Sequence, residues 1–485
     1  MNAMIWHRGA PGDYDNWARI THDPSWSYPD VLQYFRKCEA TEIPHFEKSQ
    51  HGTQGPWPST YPPCKSQASE QFIEAAAAYG IQKNWDLNGV SALGVNRLPT
   101  FTKNRWRKST NASYLEGDSK VNGRKNLIIG AGSHVTRIIF EGHGETLRAT
   151  GVEFTGYDGT FLRPSHIPFL LHSSLCSPTG KSYTVRARHE VILSAGAIQS
   201  PHLLLLSGVG PAAQLTKHGI PVVKNVMGVG KNLQDHLMCS IVWRCKDGIS
   251  FNKVDRNENV LPNLLRHRLP GNGGPLTTNF AEAAAFIRSD LASVKMNDPA
   301  SHETTPHLEL LLISAYAQKN ALFRPNHTEM FSVGPVLLCP LSVGEILLSN
   351  ADPFSKPLIK ANYLSDQMDL DTMVEGLKIS MKIIDQWKKS TWIYKKSINP
   401  ETGGDLSYRW NILPNPDAAT VSALQNEGYR VVKGTELVFE QYSGPEDSVY
   451  AGDFERFIRE NSETLYHPVG TCKVRSSHLD EAQRP

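Results

Sequence analysis

What this chain of 485 residues lacks narrows its class at once. No apolar run approaches the length of a bilayer-crossing helix; the longest strongly apolar stretches are about ten residues, against roughly 20 needed. Neither sign of charge dominates, since 50 Lys and Arg stand against 48 Asp and Glu for a net charge of +2. That balance gives no basis for expecting a nucleic-acid or strongly acidic partner. The seven cysteines include no Cys-x-x-Cys pair, so neither a zinc site nor a dense disulfide framework is expected, and no metal is assigned. No internal repeat or long low-complexity segment is present. No charged n-region followed by an apolar h-region opens the chain, so no signal peptide is visible. The sequons Asn111-Ala112-Ser113 and Asn326-His327-Thr328 would take glycans only on a secretory route, and the compartment stays open.

What is there is an ordinary globular composition, 40% hydrophobic, 20% charged and 9% aromatic, with length for about two or three domains. β-Branched and aromatic runs bounded by Gly or Asp predict strands at Asn126–Gly130, Val135–Phe140, Gly151–Phe154, Tyr183–Arg188 and Glu190–Ser194. A short helix is expected at Pro29–Glu39. Residues 200–207 read as a short buried helix, with Ser200 as N-cap, Pro201 at N1 and Gly208 closing it. Leu370, Met373, Val374, Leu377, Met381 and Ile384 recur at three- and four-residue spacing, the pattern of a helix with one face in the core. Mixed strands and helices indicate an α/β or α+β protein.

Three glycine pairs invite a nucleotide-loop reading, and none fits it well. Gly130-Ala131-Gly132 is followed by Val135 and a strand-like run where the fingerprint needs a third small residue opening a helix. Gly208-Val209-Gly210 and Gly228-Val229-Gly230 neither follow a strand nor open a helix. Glu190–Pro211 carries more: an apolar run ends at Ala195-Gly196-Ala197, where small residues allow close approach of a flat ligand, and a helix follows. A plain strand–turn–helix accounts for the same pattern. Near the end stands Tyr466-His467-Pro468-Val469-Gly470-Thr471-Cys472-Lys473. A histidine fixed between an aromatic residue and a proline–glycine turn has the look of a catalytic base, because an imidazole with a pKa of about 6.5 can take a proton at neutral pH.

Gly196–Pro211, Gly228–His236, the opening Asn2–Gly9 with Asp13–Trp17, and Tyr466–Lys473 together resemble the glucose–methanol–choline (GMC) family of FAD-dependent oxidoreductases. Arg105–Leu115 and Val343–Asn362 add to the likeness, which spans nearly the whole chain in order. The resemblance implies an α/β (α+β mixed) fold, a Rossmann-like FAD-binding domain interleaved with a sheet-and-helix substrate-binding domain. It divides the chain into a FAD-domain or lid segment at 1–45, substrate domain at 46–120 and 241–455, FAD-binding domain at 121–240, and a return to the FAD domain with the catalytic motif at 456–485. It implies oxidation of the CH–OH group of a choline-, aryl-alcohol- or sugar-alcohol-like substrate, with oxygen or another electron acceptor as partner. His467 resembles the base that removes the hydroxyl proton while hydride passes to flavin N5. Tyr466 resembles its pocket-lining neighbour. Asn2, Ala3, Met4 and Ile5 resemble the stretch beside the isoalloxazine ring, and Val135 the residue holding the adenine end. His189, His202, His218 and His236 read as structural or surface residues.

The sequence also departs from that family. The family's first βαβ unit with its phosphate-binding glycines, and its closing elements with a second active-site His or Asn, are not found. Thr160–Thr179 and Val474–Pro485 look foreign and read as an insertion and a tail from translated intron. A truncated and impaired chain is therefore expected, with weak flavin binding. A redox-neutral FAD-containing lyase and a non-catalytic remnant stay open as alternatives.

Overall fold

The computed structural model describes residues 2–473, apart from 116–125, 158–177, 323–327, 399–404 and the short gaps 255, 270, 272, 297, 299–301, 319–320, 415, 428 and 447–449. The expected insertion, save its last two residues, and the tail Val474–Pro485 lie outside the described residues.

Along the chain come helices α1 (Pro11–Thr21) and α2 (Tyr28–Cys38), then α3 (Gln67–Tyr79) and strand β1 (Gly94–Arg97). Each helix opens on a local signal. Pro11 sits in the first turn of α1, where its missing N–H has no intrahelical partner to lose, and the Asp13 carboxylate accepts from the Ala10 N–H at 2.8 Å. The Ser66 hydroxyl accepts from the Ser69 N–H at 3.0 Å and starts α3. The short helix expected at Pro29–Glu39 is α2, shifted by one residue.

Strands β2 (Ser133–Glu141), β3 (Arg148–Tyr157) and β4 (Pro178–Arg186) form an antiparallel three-stranded sheet, followed by helix α4 (Gly196–Leu206). The Ser207 hydroxyl after α4 accepts from the Ile138 N–H at 2.8 Å, tying helix to sheet. Two expected strands do not form. Residues 126–130 and 190–194 have no strand partner among the described residues, and Ile128 and Ile192 are 94% and 78% exposed. An apolar run becomes a strand only where a ladder takes up its N–H and C=O groups.

The larger sheet has eight strands, all paired antiparallel. It is built from β5 (Leu237–Cys239), β6 (Ile241–Cys245), β7 (Ala281–Ile287), β8 (Leu308–Ile313) and β9 (Met330–Leu337), and after helix α5 (Gln367–Lys389) it gains β10 (Val438–Ser443) and β11 (Ser462–Thr464). The order is β10-β6-β9-β8-β7-β1, with β5 bridging β9 and β11. The boundary expected at residue 240 therefore falls between two strands of one sheet, and β11 joins it from the segment assigned to the FAD side.

Period-two alternation separates the two faces of this sheet. Ala283, Ala285, Leu310, Leu312 and Val333 turn toward α3 and α5 and form the main core with Phe72, Leu377 and Trp387. The helical periodicity read at Leu370–Ile384 is the buried stripe of α5. Ala284, Phe286, Leu311 and Val336 turn the other way and pack with Ile5, Ile313, Leu338 and Leu465. That second face is the floor of a cavity of about 710 Å³.

Candidate active site

His467 sits just past β11, in a turn held by one carboxylate. Asp235, only 9% exposed, accepts from the His467 backbone N–H at 2.8 Å through Oδ1. Its Oδ2 accepts from the hydroxyls of Thr464 and Tyr363, each at 2.5 Å. The intervening Tyr466 has φ +59°, a left-handed conformation that a bulky residue adopts only where its surroundings impose it. Further bonds hold the turn from the next strand over: Gln234 and Val469 exchange backbone N–H bonds at 3.1 and 2.8 Å, and the Leu465 N–H donates to the His236 carbonyl at 3.0 Å. A chain that must place one imidazole is here fixed on both sides of it.

The side chain of His467 meets a second imidazole. Its Nδ1 lies 3.1 Å from Nδ1 of His236, the rings standing edge-to-face at 5.2 Å between centroids. Burial, with some help from the neighbouring His467, pushes His236 down to about 4. Burial also lowers His467 below the ordinary histidine value, partly opposed by the nearby Asp235 carboxylate. Both rings are therefore neutral at pH 7.

These rings line a cavity of about 710 Å³ whose other walls include Asn2, Ala3, Ile5, His7, Phe286, Glu309, Leu311, Ile313 and Tyr466. The opening segment is anchored residue by residue. Asn2 Nδ2 donates to the Tyr466 carbonyl at 3.1 Å, Asn279 Nδ2 to the Ala3 carbonyl at 2.7 Å, and the Phe101 N–H to the Met4 carbonyl at 2.9 Å. Behind it Arg8 is buried, donating to the Gln50 carbonyl at 2.8 Å, next to a buried chain in which His51 bridges Glu39 and Asp86 at 2.9 Å on each side. His7 stacks on Phe286, with ring centroids 4.6 Å apart, and its Nδ1 accepts from the Gly9 N–H at 3.1 Å. Its proton is therefore on Nε2, which is buried without a partner, and Asn279 Oδ1 is buried and unpartnered as well. Glu309 stands on the cavity face of β8, and burial raises its carboxyl to about 7.

A second cavity of about 620 Å³ adjoins the first through Trp17 and Val469. It is lined by Gly196, Ala197 and Ser200 at the start of α4 and by Pro468–Lys473. Here α4 departs from expectation: it begins at Gly196, so Pro201 is an interior residue rather than N1. An interior proline leaves the carbonyl four residues back without its helical donor. That carbonyl belongs to Ala197, and the Thr471 hydroxyl donates to it at 2.5 Å. The histidine-bearing segment thus supplies the hydrogen bond that the helix lacks.

Of the residues singled out in the sequence, Asn2, Ala3, Ile5, Tyr466 and His467 line one cavity, and Met4, between them, has φ +66°. Val135 is not among them; it is on β2, paired with Phe154, and lines neither cavity. His236, read as structural or surface, is half-buried against His467. The link joins positions 231 residues apart, and no local pattern announces it; the available signal was that His236 closes the Gly228–His236 segment. Glu309 is the one polar residue of the apolar strand Leu308–Ile313 and was not singled out in the sequence.

Comparison with known proteins matches a GMC oxidoreductase family model over residues 1–238 and its C-terminal counterpart over residues 340–480. An alcohol dehydrogenase [acceptor] of Pseudomonas putida is 29% identical, over 98% of this chain and 70% of that protein. A GMC-type oxidoreductase of Mycobacterium tuberculosis is 34% identical over 99% of this chain and 74% of its own length. Among solved structures, a formate oxidase of Aspergillus oryzae, a variant studied for its FAD modification, superposes with a TM-score of 0.72 at 22% identity, covering 97% of this chain and 72% of that one.

Proposed function

Since this chain belongs to the GMC oxidoreductase family, whose members depend on FAD, we propose that it oxidises the CH–OH group of a small alcohol, with His467 as the base that takes the hydroxyl proton. The observation that carries this reading is the place of His467 in the wall of the 710 Å³ cavity that Asn2, Ala3 and Ile5 also line, where burial lowers its pKa.

The residues around this cavity fit a flavin ring. A heteroaromatic system with donors and acceptors on its edge suits a site that offers the unpartnered Nε2–H of His7 and the unpartnered Oδ1 of Asn279. Asn2–Ile5 and Asn279 would hold it. When bound, FAD supplies the hydride acceptor for the oxidation, and oxygen or another acceptor completes the cycle. The assignment of Val135 to the adenine end gains no support from the cavities. We assign the eight-stranded sheet with α3 and α5 as the substrate domain.

The chain's own residues do the rest. The apolar wall of Phe286, Leu311, Ile313, Leu338 and Leu465 excludes water and strengthens each polar interaction inside it. Tyr466, 65% exposed, forms part of the rim. His467 accepts the proton and becomes an imidazolium close to Asp235, the anion that favours that charge. The test is anaerobic single-turnover reduction of the flavin-loaded chain by a panel of alcohols, wild type against His467→Gln. Loss of a positioned general base should slow reduction roughly 10²–10⁴-fold. Unchanged reduction in the variant, with substrate still bound, would refute the assignment.

A further inference from the structure

The helix Asn257–Arg268 is packed inside out. Asn259, Asn263 and His267 fall on one side of it and face the protein. Asn259 Nδ2 donates to the Lys253 carbonyl at 2.8 Å and Asn263 Nδ2 to the Val254 carbonyl at 3.2 Å. The His267 ring meets Trp106 edge-to-face, with 4.7 Å between centroids. On the opposite side Leu261, Leu264 and Leu265, with Leu269 just past the helix end, are between 48% and 63% exposed. Leucines at three- and four-residue spacing are the stripe that a helix ordinarily turns to a core. Here they turn to the outside, and a contiguous apolar patch of this kind marks an interaction surface. Its border is basic. Arg266 and Arg268 close the helix, and Arg105, whose Nη1 donates to the Leu269 carbonyl at 2.6 Å, stands beside its end. The Arg268 guanidinium lies over the ring of the half-exposed Trp106, 5.1 Å from its centroid. Glu258, the helix's one acidic residue, is at the far end and pairs with Arg256 at 3.3 Å.

We propose that this face rests on an anionic lipid surface, the leucines entering the boundary between headgroups and acyl chains and the arginines meeting the headgroup charge. Leucines on one face, arginines at their border and a tryptophan beside them are the features of a helix that lies in a membrane interface. At 12 residues the helix is too short to cross a bilayer, which takes roughly 20. A second copy of the chain fits the charge less well, because a two-fold contact sets the patch against itself and brings the two arginine borders together. The face adjoins the candidate active site: Arg107, the residue after Trp106, donates to the carbonyl of Asn2 in the cavity wall. The inference is independent of the role given to His467.

The experiment is flotation of the full chain with phosphatidylcholine vesicles, with and without phosphatidylserine at about 30 mol%, in about 0.1 M and about 0.5 M salt. Wild type should float with the anionic vesicles at low salt and be largely released at high salt. Leu264→Ser with Leu265→Ser should lower the vesicle partition coefficient roughly ten-fold or more, because two leucine side chains no longer enter the lipid. Arg266→Ser with Arg268→Ser should lower it roughly ten-fold or more on anionic vesicles alone. Both pairs are exposed, so both variants should keep the wild-type urea midpoint. If the leucine variant does not fold, quenching decides: lipid brominated in its acyl chains should quench wild-type tryptophan emission, and most of that quenching should be missing in Trp106→Phe. Absence of wild-type binding, binding unchanged in the leucine variant, equal binding to neutral and anionic vesicles, or quenching unchanged in Trp106→Phe overturns the proposal. A wild-type dimer that the leucine variant turns into a monomer in sedimentation velocity, with no vesicle binding, also overturns it and gives the face to a second copy.

Discussion

Asp235 is the residue whose replacement should report most on how the site is held. Asp235→Asn keeps the volume and both heteroatoms and removes only the charge. Oδ1 can still accept from the His467 N–H, and the two hydroxyls now facing the amide nitrogen can turn to accept from it. Three bonds to a charged acceptor become three neutral ones. Bonds to charged groups are worth about 1.5–3 kcal/mol net against about 1 for neutral pairs. The difference is about 1 kcal/mol per bond, and the easier burial of an amide than a carboxylate returns part of the sum. The expected cost is about 2 kcal/mol, read as a lower urea midpoint followed by tryptophan fluorescence. A second effect has a fixed sign. Asp235 raises His467 by favouring its cation, so the variant's His467 should titrate lower than in wild type. The acidic limb of kcat/KM should therefore move to lower pH. A variant as stable as wild type, with its acidic limb unmoved, would refute the role given to Asp235.

Other consequences follow from buried groups elsewhere. Thr471→Val should cost about 1–2 kcal/mol by stranding the Ala197 carbonyl. In a Pro201→Ala background, where residue 201 donates for itself, that cost should shrink to a few tenths; equal costs in the two backgrounds would contradict the link. Burial alone would lower His51, but the carboxylates of Asp86 and Glu39 outweigh it and hold it above its ordinary value. That pair's stabilisation is fully present below about pH 6.5 and is lost as pH rises through the raised folded value. The stability gap between wild type and His51→Gln should accordingly narrow with rising pH in denaturant titrations, and a gap that widens would be wrong-signed. Glu309, raised to about 7 by burial, destabilises the fold as pH climbs past its unfolded value near 4.5. Glu309→Gln should therefore gain stability at pH 8, by at most about 3 kcal/mol, and none at pH 4.

Much of this architecture is legible in the sequence where one element decides its own structure. The apolar spacing of Leu370–Ile384 needs only one buried face, and α5 has it. The His467 turn is marked by its own proline and glycine. The failures share a cause in partners far along the chain. Glu190–Ser194 reads as a strand on composition, but a strand is a pairing, and no ladder reaches it among the described residues. Pro201 reads as a helix start because an interior proline is costly in isolation, and the Thr471 hydroxyl that relieves it is 274 residues away in sequence. The neighbour of His236 is equally hidden until β5 and β11 pair Leu237 with Thr464 and bring it to His467. Side-chain periodicity also concealed Glu309, since a single polar residue in an apolar strand says nothing about which face the sheet will leave uncovered.

The most direct test is the pH dependence of anaerobic flavin reduction by an alcohol, as kcat/KM, in wild type and His467→Gln. A base held neutral by burial predicts a rate that falls only as pH drops below 6.5, through the lowered value of His467. The same limb should be absent from the much slower variant. A limb at or above 6.5, or one that survives in His467→Gln, would contradict His467 as the proton acceptor.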